Sequence, residues 1–248
     1  MIYSDSHCHL DGQPGRVAGV IEQAGNRNVG IMVTMGMTLE SSAEAINLTQ
    51  SYDSVLAAVG IHPWNPVLPT DEFRQQFDKL ARSNDVIEIG EIGLDYLRSP
   101  ETKDIQKELL EYELSIALEL NLPVSVHCRE SHNDLMDIIR PAVGRGLRGS
   151  LHEGAHNWVE FKDWLDLGFY VTAGVRSVTN ESSDMKSALA KIPIDRLLTE
   201  TDGTAYEGSI GPQDVVEVVD RLANIRNSTA EEIAGAATNN LKHLLNLQ

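Results

Sequence analysis

Ile2-Tyr3-Ser4-Asp5-Ser6-His7-Cys8-His9 reads as a short strand that ends in two histidines one residue apart. Side chains alternate between the two faces of a strand, so His7 and His9 project together and Cys8 points the other way. Two imidazoles side by side at a strand end form half of a divalent-metal site. The other half has to come from elsewhere, which makes the ends of the remaining strands the places to look.

Further short apolar runs at 30–35, 55–61, 86–92, 123–127, 149–152, 169–172 and 196–201 are expected as strands, with the first at 2–8. Helical patterns lie between them at 15–26, 39–51, 71–82, 104–120, 131–139, 158–167, 183–192 and 212–225. The clearest is 104–120, where Leu109, Tyr112, Ile116 and Leu120 recur at helical spacing. The many charges over 104–119 read as a solvated helix face. A last helix starts near Ser228-Thr229, with Glu231 and Glu232 placed for a capping box, and is expected to pack outside the main unit. Eight strands alternating with helices, with no linker between them, predict a (β/α)8 TIM barrel forming one domain over 1–248. A doubly wound open sheet is the alternative.

The 248-residue chain is 42% hydrophobic, enough for a sizeable core, and has no apolar run long enough for a membrane helix. No basic region followed by an apolar stretch precedes Asp5 and His7, which argues against a secretory leader. The only cysteines are Cys8 and Cys128, each beside a histidine. They read as reduced interior residues that alternate away from the ligand face, and a cytoplasmic protein is expected. The net charge of −17 argues against a broad nucleic-acid-binding face. It does not exclude a nuclease, because a site holding two divalent cations is locally positive.

Polar residues able to bind metal recur at the ends of the expected strands. Strand one ends in His7 and His9, strand three in Gly60-Ile61-His62-Pro63-Trp64, and strand four in Gly90-Glu91-Ile92-Gly93-Leu94-Asp95. Strand five ends in His127-Cys128-Arg129, strand six in His152, and strand eight in Glu200-Thr201-Asp202. Barrel enzymes build their active sites on that rim. Glu91 within an apolar run is a costly buried charge unless it binds something. Trp64 suits either stacking on a base or covering the rim. His132, His156 and His243 read as surface or helix residues.

These phrases resemble the TatD family of metal-dependent deoxyribonucleases, in the amidohydrolase superfamily. The resemblance covers essentially the whole chain, from Asp5-Ser6-His7-Cys8-His9-Leu10 to the closing helix around Asn239-Asn240. Its most specific phrases are Gly-Ile-His-Pro-Trp at 60–64 and Gly-Glu-Ile-Gly-Leu-Asp-Tyr at 90–96. It implies two divalent ions (Mg2+, Mn2+ or Zn2+), one on His7, His9, Glu91 and Asp202, the other on Glu91, His127 and His152. Glu91 then bridges them, and Asp202 orients a water or accepts its proton. In the same reading Arg129 forks onto a phosphate oxygen, His62 binds phosphate or protonates the leaving oxygen, and Asp95 supports the ligands. The implied activity is 3′-5′ exonuclease action on DNA, single-stranded or at a strand end, with no membrane involved.

Two loops depart from the family. The strand-six histidine is usually followed by a small residue, Phe, and a Gly two places later; here the run is His152-Glu153-Gly154-Ala155-His156. The final aspartate is usually followed by a small residue and Pro; here Asp202-Gly203-Thr204-Ala205 stands, with the downstream Asn-x-Pro reduced to Gly211-Pro212. A divergent branch fits these changes, such as a TatD-like component of a bacterial defence cassette with protein partners. Two other activities compete: hydrolysis of a small amide, ester or phosphate ester, and service mainly as a binding subunit.

Overall fold

A computed structural model describes residues 1–11, 14–152, 157–204 and 209–247. Along the chain, β1 (Tyr3–His9) is followed by α1 (Pro14–Asn26), β2 (Val29–Thr34), α2 (Leu39–Thr49), β3 (Val55–Val59), α3 (Asp71–Ala81) and β4 (Val86–Asp95). Next come α4 (Lys103–Leu120), β5 (Val124–Arg129), α5 (His132–Val143), β6 (Gly149–Leu151), α6 (Trp158–Asp166) and β7 (Tyr170–Ala173). The rest is α7 (Val175–Thr179), α8 (Ser183–Lys191), β8 (Leu197–Thr199), β9 (Gly203–Thr204), α9 (Val215–Arg226) and α10 (Ala230–Leu244). These form two compact units: Met35–His152, and Met1–Thr34 with Glu153–Gln248.

In the unit Met35–His152, β3, β4, β5 and β6 pair in parallel, with Ala58 opposite Glu88, Gly93 opposite His127 and Val126 opposite Leu151. Nearly all of β4 is buried, as expected of a parallel strand covered on both faces. Leu109, Leu110 and Leu114 of α4 are buried in its packing on β4. Phe73 and Phe77 of α3 meet Tyr112 of α4 with ring centroids 6.1 and 5.7 Å away. Gly93 has φ +146°, and a Cβ there would lie 2.0 Å from the His127 carbonyl oxygen. Only glycine lets β4 run that close to the residue that carries the His127 ring.

In the other unit, β1 pairs in parallel with β2 and β9, and β7 pairs with β8. Hydroxyls tie β1 to β8: Ser6 Oγ donates to the Thr199 carbonyl at 3.1 Å, and Thr199 Oγ1 donates to the Ser4 carbonyl at 3.0 Å. Trp164, Phe161 and Phe169 are fully buried around α6 and β7.

All eight expected strands form, within a few residues of the ends read from sequence. β4 runs on to Asp95, beyond the expected Ile92, because Gly93 keeps the strand close to β5. α5 continues through Pro141 to Val143, where only the final turn lacks a donor. α10 is capped by Thr229, whose hydroxyl accepts from the Glu232 backbone, while the Glu232 side chain bonds Ser228. That replaces the expected capping box. α10 also packs on β8 and β1 rather than outside the main unit, and Thr238 Oγ1 donates to the Ile2 carbonyl at 3.2 Å. The single-turn α7 and the two-residue β9 were not expected.

Candidate metal centre

In the unit Met35–His152, four chemistry-bearing residues sit at or just beyond the C-terminal ends of β3, β5 and β6 and on the last part of β4. The Glu91 carboxylate is buried, and its Oε1 is the focus of three imidazoles. His127 Nδ1 lies 2.7 Å away, His62 Nε2 3.2 Å and His152 Nε2 3.6 Å. One possible ligand atom each from His62, Glu91 and His127 fall within 4.8 Å of one another. Buried imidazoles around a buried carboxylate are a donor set that suits a divalent transition ion or magnesium.

His62 and His127 are held differently. The Trp64 backbone N–H donates to His62 Nδ1 at 3.0 Å, so in the neutral ring Nε2 carries the proton and faces Glu91. Held this way, His62 is a hydrogen-bond donor rather than a lone-pair ligand. His127 lies between two carboxylates, with Nδ1 on Glu91 and Nε2 3.1 Å from Asp95 Oδ2. Burial disfavours its imidazolium, but the two carboxylates outweigh that and raise its pKa to about 9.

Asp95 organises the ground beneath. Its Oδ2 accepts from Trp64 Nε1 at 2.6 Å as well as meeting His127, and its Oδ1 accepts from the backbone N–H groups of Leu97 and Arg98 at 3.0 and 2.8 Å. Burial works against the charge, but bonds from His127, Arg98 N–H and Trp64 hold the carboxyl well below the usual range. This places Asp95 behind His127, a common arrangement for orienting a ligand histidine.

Two polar α4 residues are buried in this network; Glu113 is among the charges expected on a solvated face, and the structure corrects that, while no role was expected of Gln106. Gln106 is buried, accepting from Asp95 N–H at 2.8 Å and donating to its carbonyl at 3.1 Å. Glu113 is buried and accepts from Ile61 N–H at 2.8 Å, just before His62; burial lifts its carboxyl well above the ordinary value. A signal for both was present. Positions 106, 109, 113 and 116 share one helical stripe, and its other members are apolar.

In the unit containing β1, the rings of His7 and His9 project together with centroids 5.1 Å apart. His9 Nε2 lies 3.4 Å from Asp202 Oδ1. Asp202 has φ +53°, a left-handed conformation that Asp tolerates better than most residues, and its N–H donates to the His7 carbonyl at 3.1 Å. Asp5, not singled out in the sequence, shares the His7/His9 face by strand alternation. Its Oδ1 accepts from His7 N–H at 3.2 Å and Thr201 N–H at 3.0 Å, and its Oδ2 accepts from Thr201 Oγ1 at 2.6 Å. Burial outweighs these bonds and raises its pKa to about 8. Arg176 was also missed, because no site residue was expected at the end of strand seven; its guanidinium lies 3.2 Å from Asp202 Oδ2. Cys8 is fully buried facing away, with Sγ donating to the Val33 carbonyl at 3.4 Å, and Cys128 is buried too.

Arg129 ends β5 in register with Asp95, is half-buried, and makes no carboxylate pair among the described residues. His132 is half-buried at the start of α5, and His243 is exposed on α10. The expected loop change at 153–156, with His156, lies outside the described residues, as do 205–208. No helix among the described residues is long and apolar enough to cross a membrane.

The family model for TatD related DNase matches residues 4–246. The metal-dependent hydrolase YcfH of Escherichia coli K12 is 32% identical, covering 100% of this chain and 97% of its own. The 3′-5′ ssDNA/RNA exonuclease TatD of Edwardsiella piscicida is 32% identical over 76% of this chain and 73% of its own. The crystal structure of YjjV, a TatD homologue from Escherichia coli K12, superposes with a TM-score of 0.90 at 26% identity, covering 99% of this chain and 98% of that one. The fold is therefore the (β/α)8 barrel of the metal-dependent hydrolases. The chain belongs to the TatD family, and it is a metal-dependent hydrolase.

Proposed function

We propose that this protein is a deoxyribonuclease that shortens DNA from a strand end in the 3′-5′ direction, at a centre for two divalent ions. The observation that carries the reading is the buried Glu91 Oε1 with three imidazole nitrogens within 3.6 Å. His7, His9, Glu91 and Asp202 would hold one ion, and Glu91, His127 and His152 the other, with Glu91 common to both. When bound, such ions supply Lewis acidity to water and to a phosphodiester at neutral pH. Asp202, with Oδ1 toward His9 and its backbone fixed to His7, orients the attacking water and accepts its proton. His62, with its Nε2 proton, donates to a phosphate or leaving oxygen. Asp95 fixes the His127 ring, and Arg129 offers its guanidinium to a non-bridging oxygen. The exonuclease relative supports nucleic acid as the substrate and 3′-5′ as the direction for that protein. Cys8 and Cys128, both buried and neither in a disulfide, fit a cytoplasmic setting.

The test is a time course on end-labelled single- and double-stranded oligonucleotides with magnesium, manganese or zinc, comparing wild type with Asp202→Ala. Stepwise shortening that stops with chelator and in the variant is expected. A fully metal-loaded wild type that spares DNA but turns over small esters or amides would replace the nuclease with an amidohydrolase.

A further inference from the structure

We propose that Arg98, stacked on Trp64, is a phosphate-binding subsite for the nucleotide next to the scissile one. The inference rests on the nuclease reading above and deepens it from substrate class to substrate length.

The Arg98 guanidinium lies over the Trp64 ring, 4.0 Å from its centroid. Stacking holds a guanidinium by its face and leaves the planar fork of N–H donors directed outward, the geometry that meets a phosphate with two bonds. Arg98 is exposed, and among the described residues no carboxylate forms an ion pair with it. Arg82 and Arg27, by contrast, pair with Glu119 and Glu217, so they are engaged where Arg98 is not.

The platform is fixed from below. Trp64 Nε1 donates to Asp95 Oδ2 at 2.6 Å, and Arg98 N–H donates to Asp95 Oδ1 at 2.8 Å. One buried carboxylate therefore positions both the ring and the backbone that carries the cation, which lowers the ordering cost of binding. The same ring lies edge-on to His62, with centroids 4.5 Å apart, and His62 Nε2 faces Glu91. The free guanidinium thus stands one aromatic ring away from the residue that meets the reacting phosphate. A single-phosphate ester held at Glu91 and His62 does not need Arg98; a strand with a second phosphate does.

Wild type, Arg98→Ala, Arg98→Lys and Trp64→Phe are compared on a decamer of thymidylate and on the p-nitrophenyl ester of thymidine 5′-monophosphate, with melting temperatures as a fold control. Arg98→Ala should raise KM for the decamer about tenfold, the loss of one charged hydrogen-bonded contact. Its kcat should stay within about twofold on both substrates, and its KM for the ester should not move. Decamer binding, read by fluorescence anisotropy in chelator, should lose about 0.7 from the slope of log affinity against log salt, the value for one phosphate on a single strand. Arg98→Lys keeps that slope but loses part of the affinity. Equal effects on decamer and ester, or none on either, would overturn the subsite. A wild type that cleaves neither substrate sinks the nuclease reading instead. The anisotropy then decides alone: a salt slope unchanged in Arg98→Ala overturns the subsite, and a slope lowered by about 0.7 keeps it.

Discussion

The two compact units present their metal-competent groups in different ways. Around Glu91 the groups are buried and cross-braced, with each nitrogen of His62 and His127 already facing a hydrogen-bond partner and Asp95 clamped by four donors. Around Asp202 the arrangement is looser: the side chain is 19% exposed, meets His9 at 3.4 Å, and also faces an exposed arginine. The first is a set geometry that must be intact to function. The second has one carboxylate with room to change partners. Substitutions in the first should therefore be costly and close to all-or-none, and those in the second graded.

The largest effect is expected at Glu91. Glu91→Ala removes the oxygen on which three imidazoles converge, and should lower nuclease turnover by at least about 10³-fold, the scale for losing a group that acts on the transition state. Metal content per chain should fall with it, read by elemental analysis of the purified protein. Glu91→Gln keeps the shape without the charge; full metal loading in that variant would show that geometry, not charge, is what the cluster supplies.

Gly93→Ala tests the cross-bracing through the backbone. The new Cβ would have to displace the His127 carbonyl at 2.0 Å, and alanine resists φ +146°. A loss of about 3 kcal/mol or more is expected, at the upper end for single substitutions, visible as a lower urea midpoint or an insoluble chain. A well-folded variant of near-normal stability would mean that β4 and β5 separate easily, and the contrast between the two regions would shrink.

These expectations also show how far the sequence could be read. The strands were legible because parallel strands buried on both faces leave short, nearly unbroken apolar runs, and Val55-Leu56-Ala57-Ala58-Val59 of β3 is such a run. The histidines and Glu91 were legible because they interrupt those runs at their ends. Asp5 was not, because what sets it apart is burial against the backbone N–H groups of His7 and Thr201, and Gln106 and Glu113 were marked only by the apolar stripe they share with Leu109 and Ile116. α7 escaped notice because Val175-Arg176-Ser177-Val178-Thr179 is one turn rich in β-branched residues, set by Gly174 N–H on Ser177 Oγ. With α7 went Arg176.

Glu113 offers a pH test of the braced region. Burial raises its carboxyl pKa above the ordinary 4.5, so below about that pH it is protonated both folded and unfolded, and its ionisation costs nothing. As pH rises, the unfolded chain ionises first, and folded stability falls until the folded pKa is passed. Glu113→Gln keeps an acceptor for Ile61 N–H without the ionisation. It should melt about 2–4 °C or more above wild type at pH 7, with the gap closing by pH 4. A gap that persists at pH 4 would assign the gain to packing and not to the buried acid.

The smallest effect tests the looser region. Arg176 is 60% exposed and reaches Asp202 across 3.2 Å, so the pair is well screened and contributes at most about 1 kcal/mol. Its consequence for binding has a definite sign. A guanidinium on Asp202 Oδ2 competes with any cation for that carboxylate, so Arg176→Ala should bind manganese up to about fivefold more tightly, read by calorimetry at low salt. The gain should fade as salt rises, because the competition is electrostatic and lies near the surface. If Arg176→Ala binds manganese more weakly, the arginine is positioning Asp202 rather than competing for it. Asp202 would then belong with the braced groups, and the contrast between the two regions would fail at the one residue that defines it.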